Sequence, residues 1–142
     1  MAQYRQIDSK LFIGPQPTRQ DLEEAKQQGI HTVVDFRLPT ETASPNADLA
    51  RAAGLDYVNI PIDRAALSTD QVGELETAME RHPGPYLLHC ATGTRAALML
   101  ALSRARQEGW SAERTFVEAE AMGFNLRNSA DFANFVRQAT GE

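Results

Sequence analysis

The chain is 142 residues long, with 42% hydrophobic and 23% charged residues, an ordinary globular composition that fits one domain over residues 1–142. Its net charge of −5 argues against a nucleic-acid partner, for which a basic excess or stripe is expected. No run approaches the roughly 20 apolar residues of a membrane span, and Met1–Lys10 lacks the apolar core of a secretory leader, so a cytoplasmic location is expected. One cysteine, Cys90, can form neither an intramolecular disulfide nor a cysteine-rich zinc site.

In chain order, Leu11-Phe12-Ile13 reads as a short edge strand stopped by Gly14-Pro15. Thr18 caps a helix that runs from Arg19 and is ended by Gly29. The β-branched run Ile30–Phe36 predicts a buried strand. A helix over about 47–53 is closed by Gly54, and Leu55–Ile60 forms the next strand. Ser68 or Thr69 caps a helix reaching about Glu80. Tyr86–His89 is a further short strand, and a long Ala- and Leu-rich helix follows from Gly93 or Thr94 to about Gln107. Two more helices start at Ser111 and near Ser129. Strand and helix alternate through most of the chain, which predicts an α/β fold: a mainly parallel central sheet of four to five strands flanked by helices on both faces. Ligands of such sheets bind beyond the carboxyl ends of the strands. Asp35, Arg37, Asp63 and Cys90 all fall at or just after those ends.

The chemistry concentrates in His89-Cys90-Ala91-Thr92-Gly93-Thr94-Arg95. This segment leaves a buried strand and enters a helix. A glycine turn there lets successive backbone N–H groups point inward as an anion nest, and the helix N-terminus adds partial positive charge. Ala91, Thr92, Gly93, Thr94 and Arg95 are the expected substrate-binding residues. Arg95, in the first helical turn, is expected to fold back over the nest and grip an oxyanion with both arms of its guanidinium. A cysteine at the base of such a loop is expected to be a thiolate nucleophile. The competing reading is an inert buried cysteine before a helix cap.

The chain resembles the beta-lactamase-hydrolase-like phosphatase-like family of bacteria, a branch of the protein tyrosine phosphatase superfamily. The resemblance is carried by Leu11–Pro17 (LFIGPQP), Gly29–Arg37 (GIHTVVDFR), Glu41, Ala53-Gly54-Leu55 with Tyr57–Pro61 (YVNIP), Gly84–Cys90 (GPYLLHC) and the Gly93-Thr94-Arg95 triplet, and it covers nearly the whole chain. It implies a three-layer phosphatase-like fold with Cys90 as nucleophile and Arg95 as anion clamp.

One departure bears on the reaction. Tyrosine phosphatases place five residues between cysteine and arginine, and this chain places four. One residue spans up to about 3.3–3.6 Å, so a smaller cradle is expected, similar to that of rhodaneses, which carry sulfur on cysteine as a persulfide. Phosphatases commonly have Ser or Thr after the arginine to help the thiolate leave; here the residue is Ala96, with Thr92 and Thr94 as possible substitutes. These features favour a sulfurtransferase that takes sulfane sulfur from thiosulfate or a persulfide and passes it from Cys90 to a thiol acceptor such as glutathione. The alternative is a phosphatase acting on a phosphate ester through a phosphocysteine. A third reading is an oxyanion-binding module without turnover.

A phosphatase also needs a general acid. Asp63, in Pro61-Ile62-Asp63 and 27 residues before Cys90, is the candidate; a solvated loop residue or an ion-pair partner of Arg64 fits it equally. Asp35 and Arg37 either reach the cleft or pair with Glu41 and Arg95. His89 reads as a buried organiser of the loop that donates to a backbone carbonyl. No cofactor is called for, and a metal role is disfavoured because His31 and His82 are scattered in sequence. Trp110 reads as a packing residue.

Overall fold

The computed structural model describes residues 3–41 and 46–141. Five strands form one sheet: β1 (Arg5–Asp8), β2 (Leu11–Gly14), β3 (Thr32–Asp35), β4 (Asp56–Asn59) and β5 (Tyr86–His89), in the order β1-β2-β5-β3-β4. All pairs are parallel except β1 with β2. The α/β expectation of a mainly parallel sheet flanked by helices therefore holds. The edge is different: β1 covers β2, so Leu11–Gly14 lies inside the sheet rather than at its margin. β1 is polar and largely exposed, and without an apolar alternation it offers no strand signal.

Side chains alternate across the sheet with period two. Ile13, Val34 and Leu88 enter one core, with Leu98, Met99, Phe116 and Val136. Val33 and Leu87 enter the other, with Leu22, Ala25, Ile30 and Leu55. The second layer contains α1 (Arg19–Gln27) and α2 (Asn46–Ala52); the first contains α3 (Thr69–Arg81), α4 (Thr94–Glu108), α5 (Ala112–Ala121) and α6 (Ala130–Ala139). Every residue of α4 from Ala96 to Ser103 is buried, as expected for a helix that is apolar on all sides.

The register fixes the functional rim. Gly14 pairs with His89, His89 with Asp35, and Asp35 with Asn59. These four residues form one row at the carboxyl ends of β2, β5, β3 and β4, and the next residue after His89 is Cys90. Among the described residues no helix is long and apolar enough to cross a membrane.

Candidate active site

The loop after β5 is shaped by one backbone conformation. Gly93 sits at φ 102°, in the left-handed region, as the N-cap of α4, where glycine carries no Cβ penalty. A Cβ on Gly93 would lie 2.8 Å from the Phe124 ring and 3.3 Å from the Gly14 carbonyl oxygen. This turn aims the Gly93 N–H at Cys90, and it donates to Sγ at 3.0 Å. An N–H so placed stabilises negative charge on the sulfur. Gln16 N–H donates to the Ala91 carbonyl at 3.2 Å, which pins the loop to the turn after β2. Helices α1, α3, α5 and α6 are capped by the side chains of Thr18, Ser68, Ser111 and Ser129. The N-cap of α4 makes no side-chain cap bond; at this end the Gly93 N–H goes to Sγ and the Thr94 N–H donates to the Thr92 hydroxyl at 3.5 Å.

Cys90 is 1% exposed and lies at the floor of this turn. Beside the loop lies a cavity of about 350 Å³, lined by Leu38, Ile62, Asp63, Arg64, Ala91, Thr92, Thr94, Arg95 and Phe132; the buried Cys90 is not among the lining residues. Four of the five loop residues expected to bind substrate therefore face one space, together with Asp63. Gly93 is not among the lining residues; its contribution is the turn and the amide. The Thr92 and Thr94 hydroxyls lie 3.1 Å apart and bond to each other.

Arg95 is held differently from the expectation. Its Nη1 and Nη2 donate to the two carboxylate oxygens of Glu41 at 2.7 and 2.6 Å, and Nη1 also donates to the Ile62 carbonyl at 3.1 Å. Glu41 therefore takes the Nη1/Nη2 edge of the fork, and Nε is not among these donors. Beside Glu41, and despite partial burial, the guanidinium is held above its ordinary pKa, with the nearby Cys90 side chain adding to the effect. Arg95 in turn holds the Glu41 carboxyl below the usual range, and the Leu38 N–H at 2.6 Å reinforces this. A guanidinium pinned from one side is pre-organised along its other edge.

Asp35 and Arg37 do not line the cavity. They pair with each other behind the loop, with Arg37 Nε and Nη2 each donating to an Asp35 carboxylate oxygen at 3.0 Å. The Tyr57 hydroxyl donates to Asp35 at 2.7 Å, and Asn59 Nδ2 ties the Asp35 and Arg37 carbonyls together at 2.8 and 3.0 Å. Both charges are buried, at 2% and 1% exposure. Burial raises the Asp35 pKa, but hydrogen bonds from Arg37 and Tyr57 and the charge of His89 outweigh it and hold the carboxyl below its ordinary value. Their pairing with Glu41 and Arg95 is thus replaced by two separate pairs, Asp35–Arg37 and Glu41–Arg95. Arg37 Nη1 has no hydrogen-bond partner among the described residues.

His89 is fully buried. Its Nδ1 lies 3.4 Å from the Cys90 carbonyl and 3.8 Å from Asp35. Burial pushes its pKa down to about 4, with the Asp35 charge acting against that shift, so the ring is neutral at neutral pH.

Asp63 is exposed at the cavity edge, and its carboxylate accepts from Ala65 N–H at 2.9 Å, capping the 3₁₀ turn Arg64–Ala66. Arg64 does not pair with it but stacks on the Phe132 ring at 4.8 Å. Phe132, 69 positions from Asp63, and Glu41 as the partner of Arg95 were not evident from local sequence. Glu41 lies within the family resemblance and among the candidate ion-pair partners, but its pairing with Arg95 is set by the fold. Trp110 carries the Arg114 guanidinium at 5.1 Å and is half-buried. His31 and His82, scattered in sequence, converge: their Nδ1 atoms lie 3.7 and 3.2 Å from the same Asp56 oxygen. Among the described residues no group of three or more His, Cys, Asp or Glu is placed to hold a metal ion.

Comparison with known proteins bears on the choice between sulfur and phosphorus. Residues 3–107 match the family described as beta-lactamase hydrolase-like protein, phosphatase-like domain. A beta-lactamase hydrolase-like protein from Xylella fastidiosa is 26% identical over 125 residues, covering 84% of this chain and 29% of that one. The chain thus spans under a third of the length of that curated relative. A crystal structure of a candidate phosphatase from Neisseria meningitidis is 28% identical, with a TM-score of 0.80 and coverage of 98% and 99% of the two chains. The structure of Tk-PTP has a TM-score of 0.83 at 19% identity, covering 99% of this chain and 97% of that one, a likeness of fold.

These likenesses overturn the sulfurtransferase expectation and favour the phosphatase alternative. Of the two features that suggested sulfur, the loop length has a physical explanation. The shorter loop still delivers an amide to Sγ because the left-handed Gly93 turns the chain within one residue. Ala96 is fully buried, in the same core cluster as Cys90, and supplies no hydroxyl to the departing thiolate. The chain belongs to the phosphatase-like domain family of beta-lactamase hydrolase-like proteins.

Proposed function

We propose that this chain is a phosphoric monoester hydrolase acting through Cys90. The observation that carries the reading is the Gly93 amide on Cys90 Sγ at 3.0 Å, within a loop whose Ala91, Thr92, Thr94 and Arg95 line one cavity with Asp63. The phosphatase-like family and the similarity to the Neisseria candidate phosphatase support it.

In the first step Cys90 Sγ attacks phosphorus and forms an S–P bond, while the P–O ester bond breaks and its electron pair leaves with the alcohol oxygen. Asp63 supplies the proton that neutralises that oxygen. The α4 amides and the free edge of Arg95 balance the charge on the transferred phosphoryl oxygens. In the second step water attacks phosphorus, Asp63 takes its proton, and the Cys90 thiolate and inorganic phosphate are released. A free catalytic thiol suits a reducing compartment, in keeping with action in the cytoplasm.

Turnover of p-nitrophenyl phosphate tests this. Hydrolysis is expected from the intact protein and none from Cys90→Ser. Failure of the intact protein to hydrolyse phenyl and p-nitrophenyl phosphates would overturn the reading.

A further inference from the structure

Arg64 stands at the mouth of the cavity in an unusual electrostatic position. Of the charged side chains lining that space, Arg95 is paired with Glu41 along one edge through two bonds of 2.6 and 2.7 Å. Asp63 bonds the Ala65 amide. Arg64 has neither an ion pair nor a hydrogen bond from its guanidinium among the described residues. The guanidinium stacks on the Phe132 ring at 4.8 Å, and Phe132 is itself 2% exposed and anchored in the core.

Stacking on an aromatic face satisfies the flat side of a guanidinium and leaves its five N–H donors around the rim. An arginine laid on a fixed ring has lost part of the freedom that a surface arginine gives up on binding. Arg64 is therefore a partly pre-organised, uncompensated cation beside the reaction centre. Its position relative to the two catalytic groups is set by chain geometry, because it directly follows Asp63 and both line the same cavity as Arg95.

Resting on the phosphatase reading, we infer that the substrate carries a second anionic group beyond the phosphoryl that is transferred, a carboxylate or a second phosphate, and that Arg64 selects for it. The apolar walls supplied by Leu38, Ile62 and Phe132 accommodate the part of the substrate between the two anions. Arg64 is a specificity residue in this account and takes no part in bond making.

The test compares 4-carboxyphenyl phosphate with phenyl phosphate, two aryl esters with the same scissile bond, of which one bears the extra charge. The readout is the ratio of their kcat/KM values in the intact protein, in Arg64→Gln, which removes the charge, and in Arg64→Lys, which keeps it. In Arg64→Gln the ratio is expected to fall on the order of fivefold, the scale of a partly exposed charge pair, mostly through KM. Arg64→Lys should keep most of the preference, and added salt should reduce it in the intact protein. An equal ratio in the intact protein and Arg64→Gln would overturn the inference while leaving the phosphatase reading intact. Absence of turnover of both esters by the intact protein would instead sink that reading and the inference with it.

Discussion

Asp63 shows how a single residue divides the chemistry from its scaffolding. Its carboxylate caps a 3₁₀ turn through Ala65 and opens on the cavity that Arg95 and the loop threonines share. If it protonates the leaving oxygen, Asp63→Asn should lower kcat by roughly 10²–10⁴-fold on phenyl phosphate, the range of general acid catalysis. The loss should be smaller on p-nitrophenyl phosphate, whose leaving group needs less help. Equal losses on the two esters would assign Asp63 to structure alone. At this scale the sequence was legible where chemistry is local. Cys90, Gly93 and Arg95 lie within six positions, and their relation follows from a strand running into a helix. The two ion pairs were not legible, because Asp35–Arg37 and Glu41–Arg95 differ from the alternative pairings only in which side chain turns where. A residue count likewise measures chain length and not direction, so four residues between Cys90 and Arg95 do not by themselves separate sulfur from phosphorus.

The strand-to-helix junction of β5 and α4 is the element on which the site depends. Gly93 holds the left-handed turn, carries the donor to Cys90 and leaves no room for a Cβ beside the Phe124 ring. Gly93→Ala combines an unfavourable φ with a Cβ 2.8 Å from that ring. It should cost about 1–3 kcal/mol of stability, read from urea unfolding, and should reduce phosphate ester turnover because the amide moves off the sulfur. An alanine variant with intact stability and full turnover would show that the turn is not needed. Most elements around this junction were evident from sequence: the capping serines and the alternating apolar runs are local signals. β1 was not, since a polar strand that pairs only at the sheet edge has no apolar pattern to mark it.

At the scale of the whole molecule, the site rests on buried polar groups placed under the carboxyl ends of the sheet. His89 is held neutral by burial, with its pKa lowered from 6.5 to about 4. A base whose folded pKa lies below its unfolded value binds protons more readily when unfolded. The fold therefore keeps its full stability above about pH 6.5 and loses it as pH falls from 6.5 toward 4, by about 3 kcal/mol for a shift of this size. Asp35 acts in a lower window, because its carboxyl is held below its ordinary value and its contribution is lost only under more acid conditions. Urea unfolding midpoints should thus fall between pH 6.5 and 4 in the intact protein and fall less in His89→Gln; parallel curves would contradict the assignment. The convergence of His31 and His82 on Asp56, from positions 51 apart, is likewise a product of the assembled fold that no local pattern announces. The central claim is that this scaffold makes Cys90 the acceptor of a phosphoryl group. It is tested most directly by mixing the protein with p-nitrophenyl phosphate, quenching in acid within the first turnover and measuring intact mass. The account predicts one added phosphoryl group, mapped to Cys90 and absent from Cys90→Ser. Phosphate release at the intact protein's rate by Cys90→Ser, with no phosphoryl adduct in either protein, would contradict it.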